Sequence, residues 1–294
     1  MELRQLRYFV TLADTRNFHR AADKLNISQP PLTVAIRKLE EELGTTLFDR
    51  GSRGVTLTAA GRAALDIARL TLAQADRFRE VVREGAMGER GQLRVGFVGS
   101  ATFELLPHII PEYRRLYPLV ELVLEEAAST DIARRLSAGE LDVGLVRLPL
   151  MEIAQVDAQS VDQDEMHAAL PQSHMLANTG SVALSRLADE PFILQSRISV
   201  LHSITIKACH EAGFVPRVAQ EAAQLSAVLA LVRSGLGVAL VPSRAASAVP
   251  KDVRLVRLAR CVPIETGVAL PRNRASPLAH NFAAIAADSY RISK

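Results

Sequence analysis

Apolar residues recur at helical spacing through the first sixty positions of the chain and predict three helices. Asn17 is a suitable N-cap for the second helix, over residues 18–25. Ser28 starts the third helix and Gly44 ends it. In the first helix the residues that repeat at helical spacing are Leu3, Leu6, Phe9, Val10 and Ala13. The third is predicted to bury Leu32, Ala35, Ile36, Leu39 and Leu43.

Two short strands and a long helix are predicted to follow. Residues 47–50 and 55–57 flank a glycine-containing tip, which is typical of a small β wing. Thr58 caps a helix that runs to about residue 85, and three glycines after it predict a linker: Gly85, Gly88 and Gly91. Along this helix an apolar seam at steps of three and four residues predicts a dimer contact. The seam comprises Leu65, Ala68, Leu72 and Ala75.

From Leu93 onward the pattern changes to alternating strands and helices. The segment LRVGFVG is apolar almost throughout, which is typical of a parallel strand covered on both faces. A second α/β block begins near Met166, and the segments LSAGELDVGLVR and LVRSGLGVALVP repeat the order helix, glycine, buried strand. We expect two lobes with a cleft at the carboxyl ends of the strands. The last strand and helix are predicted to return and complete the first lobe.

Composition excludes several classes of protein. Of 294 residues, 48% are hydrophobic and 23% charged, so the chain can bury a core and is not intrinsically disordered. The formal charge of +3 permits an anionic partner without establishing one. Glu2, Arg4 and Arg7 interrupt any signal-peptide core, and no long apolar run predicts a membrane span. Cys209 and Cys261 cannot form a disulfide framework, and the expected compartment is the cytoplasm. A redox switch between the two thiols stays open.

The segment FHRAADKLNISQPPLTVAIR, residues 18–37, has the pattern of a helix-turn-helix. Small alanines lie where two helices would cross, and the third helix leaves polar residues outside. In a DNA major groove Gln pairs with adenine, Thr with a base or a methyl group, and Arg or Lys with guanine or phosphate. Arg50 and Arg53 on the wing would reach phosphate or the minor groove. An ordinary helical hairpin with a solvated face is the alternative. The exposed candidates on the third helix are Gln29, Thr33, Arg37 and Lys38.

These motifs resemble those of LysR-type transcriptional regulators. The FxxAA helix, the SQPPL helix start, the IxxLExxLGxxLFxR run and the RGVxLTxAG wing all match that family. GFVGSATFELLP, GELDVGLVR, LPQSHMLA and LVRSGLGVALVP match its effector domain, so the resemblance spans almost the whole chain. It implies an N-terminal winged helix-turn-helix (all-α with a small β wing), a long linker helix, and a C-terminal two-lobed α/β effector domain of the periplasmic-binding-protein type.

The expected domains follow from this resemblance and the patterns above. They are the DNA-binding domain at 1–58, the linker and dimerisation helix with its hinge at 59–91, and the effector-binding domain at 92–294. Lobe I of the effector domain comprises about 92–162 and 266–294, and lobe II about 163–265. The resemblance further implies a homodimer or homotetramer on double-stranded promoter DNA, with RNA polymerase as a further partner, no cofactor and no enzymatic activity.

In the family, the base-reading region corresponds here to the start of the third helix. Many members carry Arg where this chain has Val34. Valine can contact a thymine methyl group but cannot bind guanine in a bidentate manner, so the sequence leaves the preferred base at that position open. The predicted DNA-binding set is Gln29, Pro30, Pro31, Thr33, Val34, Arg37, Lys38, Arg50 and Arg53.

Candidate effector contacts cluster after the predicted strands. The N–H groups at a helix start favour a carboxylate, and Arg147 at the end of a parallel strand can form a fork to one. Helix capping and a structural ion pair are the alternatives. The resemblance implies that the regions of Ser100, Ser129 and Arg147 hold the effector, an aromatic or other small carboxylate. The predicted effector-binding set is Ser100, Ala101, Thr102, Ser129, Arg147, Val200 and His202.

Other chemistry has weak support. Gly96 and Gly99 hint at a nucleotide loop, but the third glycine is missing and Glu104 would oppose phosphate. Cys209 and His210 are adjacent and lack metal-ligand spacing, and there is no Ser/His/Asp elbow, so neither a metal site nor a catalytic site is expected. The rival classes are a solute-binding receptor or enzyme on the same two-lobed fold, and a nonspecific nucleoid-binding protein.

Overall fold

A computed structural model describes residues 1–51, 54–150, 155–272 and 275–292 of the chain. The chain divides into two compact units, Met1–Glu84 and Gly85–Lys294. No helix within the described ranges is both long enough and apolar enough to cross a membrane.

The first unit has the predicted three helices and wing. Asn17 caps the second helix, since its side-chain oxygen accepts from the backbone N–H groups of His19 and Arg20. Gly44 ends the third helix in the left-handed conformation, at φ 66°. The elements are α1 Leu3–Thr15, α2 Phe18–Lys24, α3 Gln29–Leu43, β1 Phe48–Gly51, β2 Gly54–Leu57 and α4 Ala59–Met87.

One core holds these elements together. Phe9 and Leu12 of α1 pack with Leu32, Ile36 and Leu39 of α3, and all five side chains are almost completely buried. The buried face predicted for α3 is wrong at its last residue, Leu43. Leu43 is 47% exposed and lies outside the core, because it belongs to the final turn before the helix ends.

The long helix α4 corrects two expectations. Ala68 is buried in the core of the first unit, and Leu65 and Leu72 pack against the same core, so the predicted dimer seam is an internal contact. The linker is shorter than expected, because α4 continues through Gly85 and β3 begins at Arg90, while the boundary between the two compact units falls at Gly85. Five large apolar side chains of α4 are exposed instead: Ile67, Leu70, Phe78, Val82 and Met87.

The second unit is an α/β structure. Its strands are β3 Arg90–Phe97, β4 Leu119–Glu126, β5 Val143–Leu148, β6 Val156–Pro171, β7 Pro191–Gln195, β8 Arg217–Ala222, β9 Ala239–Pro242, β10 Val253–Arg257 and β11 Pro263–Pro271. Its α-helices are α5 Leu105–Leu116, α6 Ser129–Ala138, α7 Val200–Glu211, α8 Leu225–Arg233 and α9 Pro277–Ile292. Short 3-10 helices span Gly99–Thr102, Leu184–Leu187 and Ser243–Ala248.

Two long antiparallel strands connect the lobes of this unit. The sheet order is β10-β6-β11-β5-β3-β4, with β9 also paired to β6, while β7 and β8 form a separate parallel pair. The first part of β6 pairs with β11, and its last part pairs with β9 and β10. The sequence places the start of the second block near Met166 and misses the first ten residues of β6.

Helix α9 completes the first lobe, as predicted. Its Phe282 is fully buried and its ring centroid lies 5.5 Å from that of Tyr113 on α5. The Tyr113 hydroxyl donates to the carbonyl oxygen of Leu278 at 3.2 Å. The C-terminal helix therefore packs on the lobe that β3 opens.

A glycine of α4 tests the packing of the first unit. A Cβ atom at Gly61 would meet the Leu47 carbonyl oxygen at 2.2 Å, which is backbone and cannot swing aside. We expect Gly61→Ala to destabilise the protein by about 1–3 kcal/mol, the range for overpacking. Gly85→Ala in the same helix meets nothing within 4 Å and is expected to stabilise it by about 0.5–1 kcal/mol. Thermal melting of both variants measures the contrast, and equal melting temperatures would contradict it.

Candidate DNA interface and ligand-binding cleft

A tight turn between α2 and α3 forms the helix-turn-helix. Ala21 and Ala22 are buried where the helices approach each other. Asn26 takes the left-handed conformation at φ 54°, and the N–H of Ile27 donates to the Ala22 carbonyl at 3.0 Å. Asparagine tolerates this conformation better than most residues, which explains how the sequence turns here.

The outward side of α3 carries the predicted base-reading residues. Gln29, Pro30 and Pro31 are exposed in its first turn, and Val34 is 57% exposed. Pro30, Val34 and Arg37, which pairs with Glu41 at 3.2 Å, share one side of the helix. Thr33 is half-buried and its hydroxyl donates to the Gln29 carbonyl, while Lys38 is exposed.

Glu40, which the sequence analysis missed, fixes the wing against α3. Its carboxylate accepts from the N–H groups of Leu47 at 2.8 Å and Phe48 at 3.1 Å, where β1 starts. Arg50 lies 3.8 Å from the same carboxylate, and its guanidinium lies 5.1 Å from the centre of the Phe18 ring. Arg50 is therefore held at the wing and is half-exposed. Arg53 lies outside the described residues.

In the second unit, three predicted residues meet at the cleft between the lobes. The Arg147 Nη2 atom donates to the Ser100 hydroxyl at 2.6 Å, and the Arg147 backbone N–H donates to the Ser129 hydroxyl at 2.9 Å. Ser100 lies shortly after β3, Ser129 is the first residue of α6, and Arg147 lies near the end of β5. Three strand ends thus bring together one guanidinium and two hydroxyl groups.

Arg147 is a buried charge with unmet hydrogen-bonding capacity. The residue is 4% exposed, and burial lowers its pKa to about 10, while Asp164 and Asp162 oppose the shift. It therefore keeps its proton at neutral pH. Its Nε and Nη1 atoms have no hydrogen-bond partner among the described residues. Such unpaired donors are costly in a protein interior and favour an anion that can accept from them.

The second lobe supplies a polar wall that the sequence analysis missed. Gln195 ends β7, is 4% exposed, and donates from Nε2 to the Leu240 carbonyl at 3.0 Å. With Ser196, Ser199 and Val200 it faces Ser100, Ser129 and Arg147 across a cavity of about 300 Å³. A polar residue that closes the apolar run FIL is the sequence signal that could have identified Gln195.

The remaining predicted effector residues do not line this cavity. Ala101 is buried in the core of the first lobe, and the Thr102 hydroxyl donates to the Gly99 carbonyl. His202 supports the wall from behind, since its Nδ1 lies 2.8 Å from the Gln195 carbonyl. The structure does not bring these three residues to the cavity, and their assignment to the effector stays a prediction.

The two cysteines are poor candidates for redox chemistry. Cys209 is buried, and burial raises its pKa to about 12. Cys261 is exposed, but its hydrogen bond to Glu165 raises its pKa as well. Thiolates are the reactive form, so neither side chain is activated at neutral pH. Within the described ranges no three His, Cys, Asp or Glu side chains could hold a metal ion.

A DNA-reading helix in one unit and a ligand-sized cleft in the other define the class of ligand-responsive DNA-binding proteins. Two family models match the chain: "Bacterial regulatory helix-turn-helix protein, lysR family" over residues 3–62 and "LysR substrate binding domain" over residues 86–291. The chain therefore belongs to the LysR family of transcriptional regulators. The predicted fold is confirmed, and the protein is a regulator and not an enzyme.

Individual relatives agree with this assignment. The chain is 37% identical over 285 residues to the HTH-type transcriptional regulator AlsR of Bacillus subtilis (strain 168), covering 96% of this chain and 94% of that protein. The crystal structure of CbnR, a LysR family transcriptional regulator, superposes with a TM-score of 0.85 at 28% identity, covering 97% of this chain and all of the other. The crystal structure of full-length CbnR complexed with its target DNA superposes with a TM-score of 0.83 at 28% identity. The match covers 99% of this chain and all of the other.

Proposed function

We propose that this protein is a cytoplasmic, sequence-specific regulator whose DNA binding is switched by a small carboxylate in the cleft of the second unit. The observation that carries the proposal is the buried guanidinium of Arg147, which has two unpaired donor atoms beside a cavity. The exposed start of α3 supplies the DNA-reading surface. A second copy of the chain covers the exposed apolar face of α4.

Base reading is assigned to the first two turns of α3. Gln29 is exposed there and offers both a donor and an acceptor, the pair that adenine presents in the major groove. Val34 offers only a methyl contact, so the site favours thymine near it. The likeness to CbnR in complex with its target DNA supports this orientation of the helix.

Gln29 provides a test of base reading. We expect Gln29→Ala to relax the preference at one position of each half-site by about 1–3 kcal/mol, because the bidentate contact is lost. Lys38→Ala, on the same helix, is expected to weaken binding evenly across sequences and to lower the salt slope by about one. Binding-site selection with titrations at several salt concentrations distinguishes the two. An unchanged preferred sequence for Gln29→Ala would exclude α3 as the reading helix.

A dimer contact is assigned to the exposed stripe of α4. At 100° per residue, Ile67 and Phe78 lie on nearly the same side, roughly opposite to Leu65 and Leu72 in the core. Phe78 is 70% exposed, which is unusual for a phenylalanine side chain. A homodimer, and a homotetramer built from it, would cover this stripe and set two DNA-reading helices at a fixed spacing.

Light scattering tests the stripe. Phe78→Glu places like charges at the centre of the proposed contact and is expected to lower the mass towards that of a monomer and to weaken binding to a palindromic site. Ala73→Glu adds the same carboxylate to an exposed position about 140° away from Phe78 on α4 and is expected to keep the mass of the wild type. If both variants keep the wild-type mass, α4 does not form the dimer.

The effector site is assigned to the interlobe cavity. Only one cation, Arg147, lines it among the described residues, and the hydroxyl groups of Ser100 and Ser129 lie beside that cation. A carboxylate there would satisfy the unpaired guanidinium nitrogens, and charge-assisted bonds of this type contribute about 1.5–3 kcal/mol.

Substitution of Arg147 separates a ligand-binding role from a structural role. We expect Arg147→Met to reduce affinity for small carboxylates about ten- to a hundredfold. Its melting temperature without ligand should not fall, because the change removes an incompletely paired buried charge. Calorimetric titration and thermal melting with a set of small carboxylates measure both effects. A full ligand-induced shift in the variant would contradict the assignment, and promoter binding without effector serves as the control for folding.

A further inference from the structure

The polar groups that face Arg147 across the cavity restrict the chemical class of the ligand further than the charge of Arg147 does. The Oε1 atom of Gln195 is buried and has no hydrogen-bond partner among the described residues. The amide orientation is fixed, because Nε2 donates to the Leu240 carbonyl, which can only accept. The remaining amide oxygen is therefore an acceptor that lacks a donor.

Residues with unmet groups of opposite kinds thus line the two walls of the cavity. Arg147 on the first lobe has two donors without acceptors, and Gln195 on the second lobe has one acceptor without a donor. Ser196 and Ser199 also line the second wall, but a hydroxyl group both donates and accepts and so imposes no choice. A ligand that satisfies both walls needs a carboxylate at one end and an N–H or O–H donor at the other.

Charge selects between the remaining ligand classes. Arg147 and Glu126 are the charged residues that line the described cavity, and Glu126 is exposed and on the first lobe. A second carboxylate would meet no second cation and would be repelled by Glu126. An ammonium group at Gln195 would be desolvated beside a neutral amide, which is a costly position for a charge. A neutral hydroxyl group fits without either cost.

We propose that the effector is a small hydroxy-monocarboxylate, with its carboxylate on Arg147 and its hydroxyl group donating to Oε1 of Gln195. This inference rests on the proposed effector site and narrows it. Gln195 is then a specificity residue, since it rewards the hydroxyl group and does not hold the carboxylate. Binding at both walls also gives the ligand a contact with each lobe.

Four-carbon acids of similar size test the proposal on the full-length protein. The probes are 2-, 3- and 4-hydroxybutyrate, butyrate, 2-oxobutyrate, 2-aminobutyrate and succinate, titrated by calorimetry. We expect at least one hydroxybutyrate to bind about three- to tenfold more tightly than butyrate, because one further hydrogen bond forms. 2-Oxobutyrate, which offers no donor, should gain nothing over butyrate. 2-Aminobutyrate and succinate should bind more weakly than the best hydroxybutyrate.

Two variants assign the effects to the two walls. Gln195→Met should remove the preference for hydroxybutyrate over butyrate and keep the affinity for butyrate. Arg147→Met should weaken both acids alike. If the wild type binds butyrate as tightly as every hydroxybutyrate, or prefers 2-aminobutyrate or succinate, the hydroxy-acid proposal is wrong and the carboxylate site stands. If none of these acids binds, both proposals fail. Should Gln195→Met not fold, the wild-type ligand series alone decides.

Discussion

The buried charge of Arg147 is the feature on which the second unit depends most. A guanidinium placed at 4% exposure costs free energy unless it is paired. Among the described residues, its Nη2 atom is hydrogen-bonded to Ser100 and its backbone N–H to Ser129, whereas Nε and Nη1 have no partner. The deficit persists because Asp162 and Asp164 supply compensating negative charge from β6. These unpaired donors support the proposal that an anion binds at Arg147.

The sheet register connects this charge to the strands that join the lobes. Arg147 on β5 pairs with Thr266 on β11, and Thr266 pairs on its other side with Asp162 on β6. Asp162 lies 2.7 Å from Arg244, which also contacts Glu104 at the start of α5. One row of residues thus runs from the cleft across both crossing strands. Under the proposed function, a ligand that changes the charge balance at Arg147 would act on this row of residues.

Sequence patterns predicted the positions of helices and strands well, but they predicted less well which surfaces these elements pack against. The helix caps at Asn17 and Gly44 are local signals, and the structure has both where expected. The seam of α4 shows the limit: periodicity correctly finds an apolar face at Leu65 and Leu72, but it cannot tell whether that face meets its own core or a second chain. The first half of β6 reads as polar because one of its faces is exposed, so alternation there resembles a loop.

In the candidate cleft, too, sequence patterns could identify some of the residues and not others. Ser100, Ser129 and Arg147 follow strands or begin helices, and the rule that ligands bind at the carboxyl ends of parallel strands is enough to group them. Gln195 could not be grouped with them, because its role depends on which of its two amide atoms Leu240 occupies. Unpaired atoms are a property of packing and not of residue type. For this reason the sequence indicates a carboxylate site, whereas the atoms left without partners are what distinguish a hydroxy acid from an amino acid or a diacid.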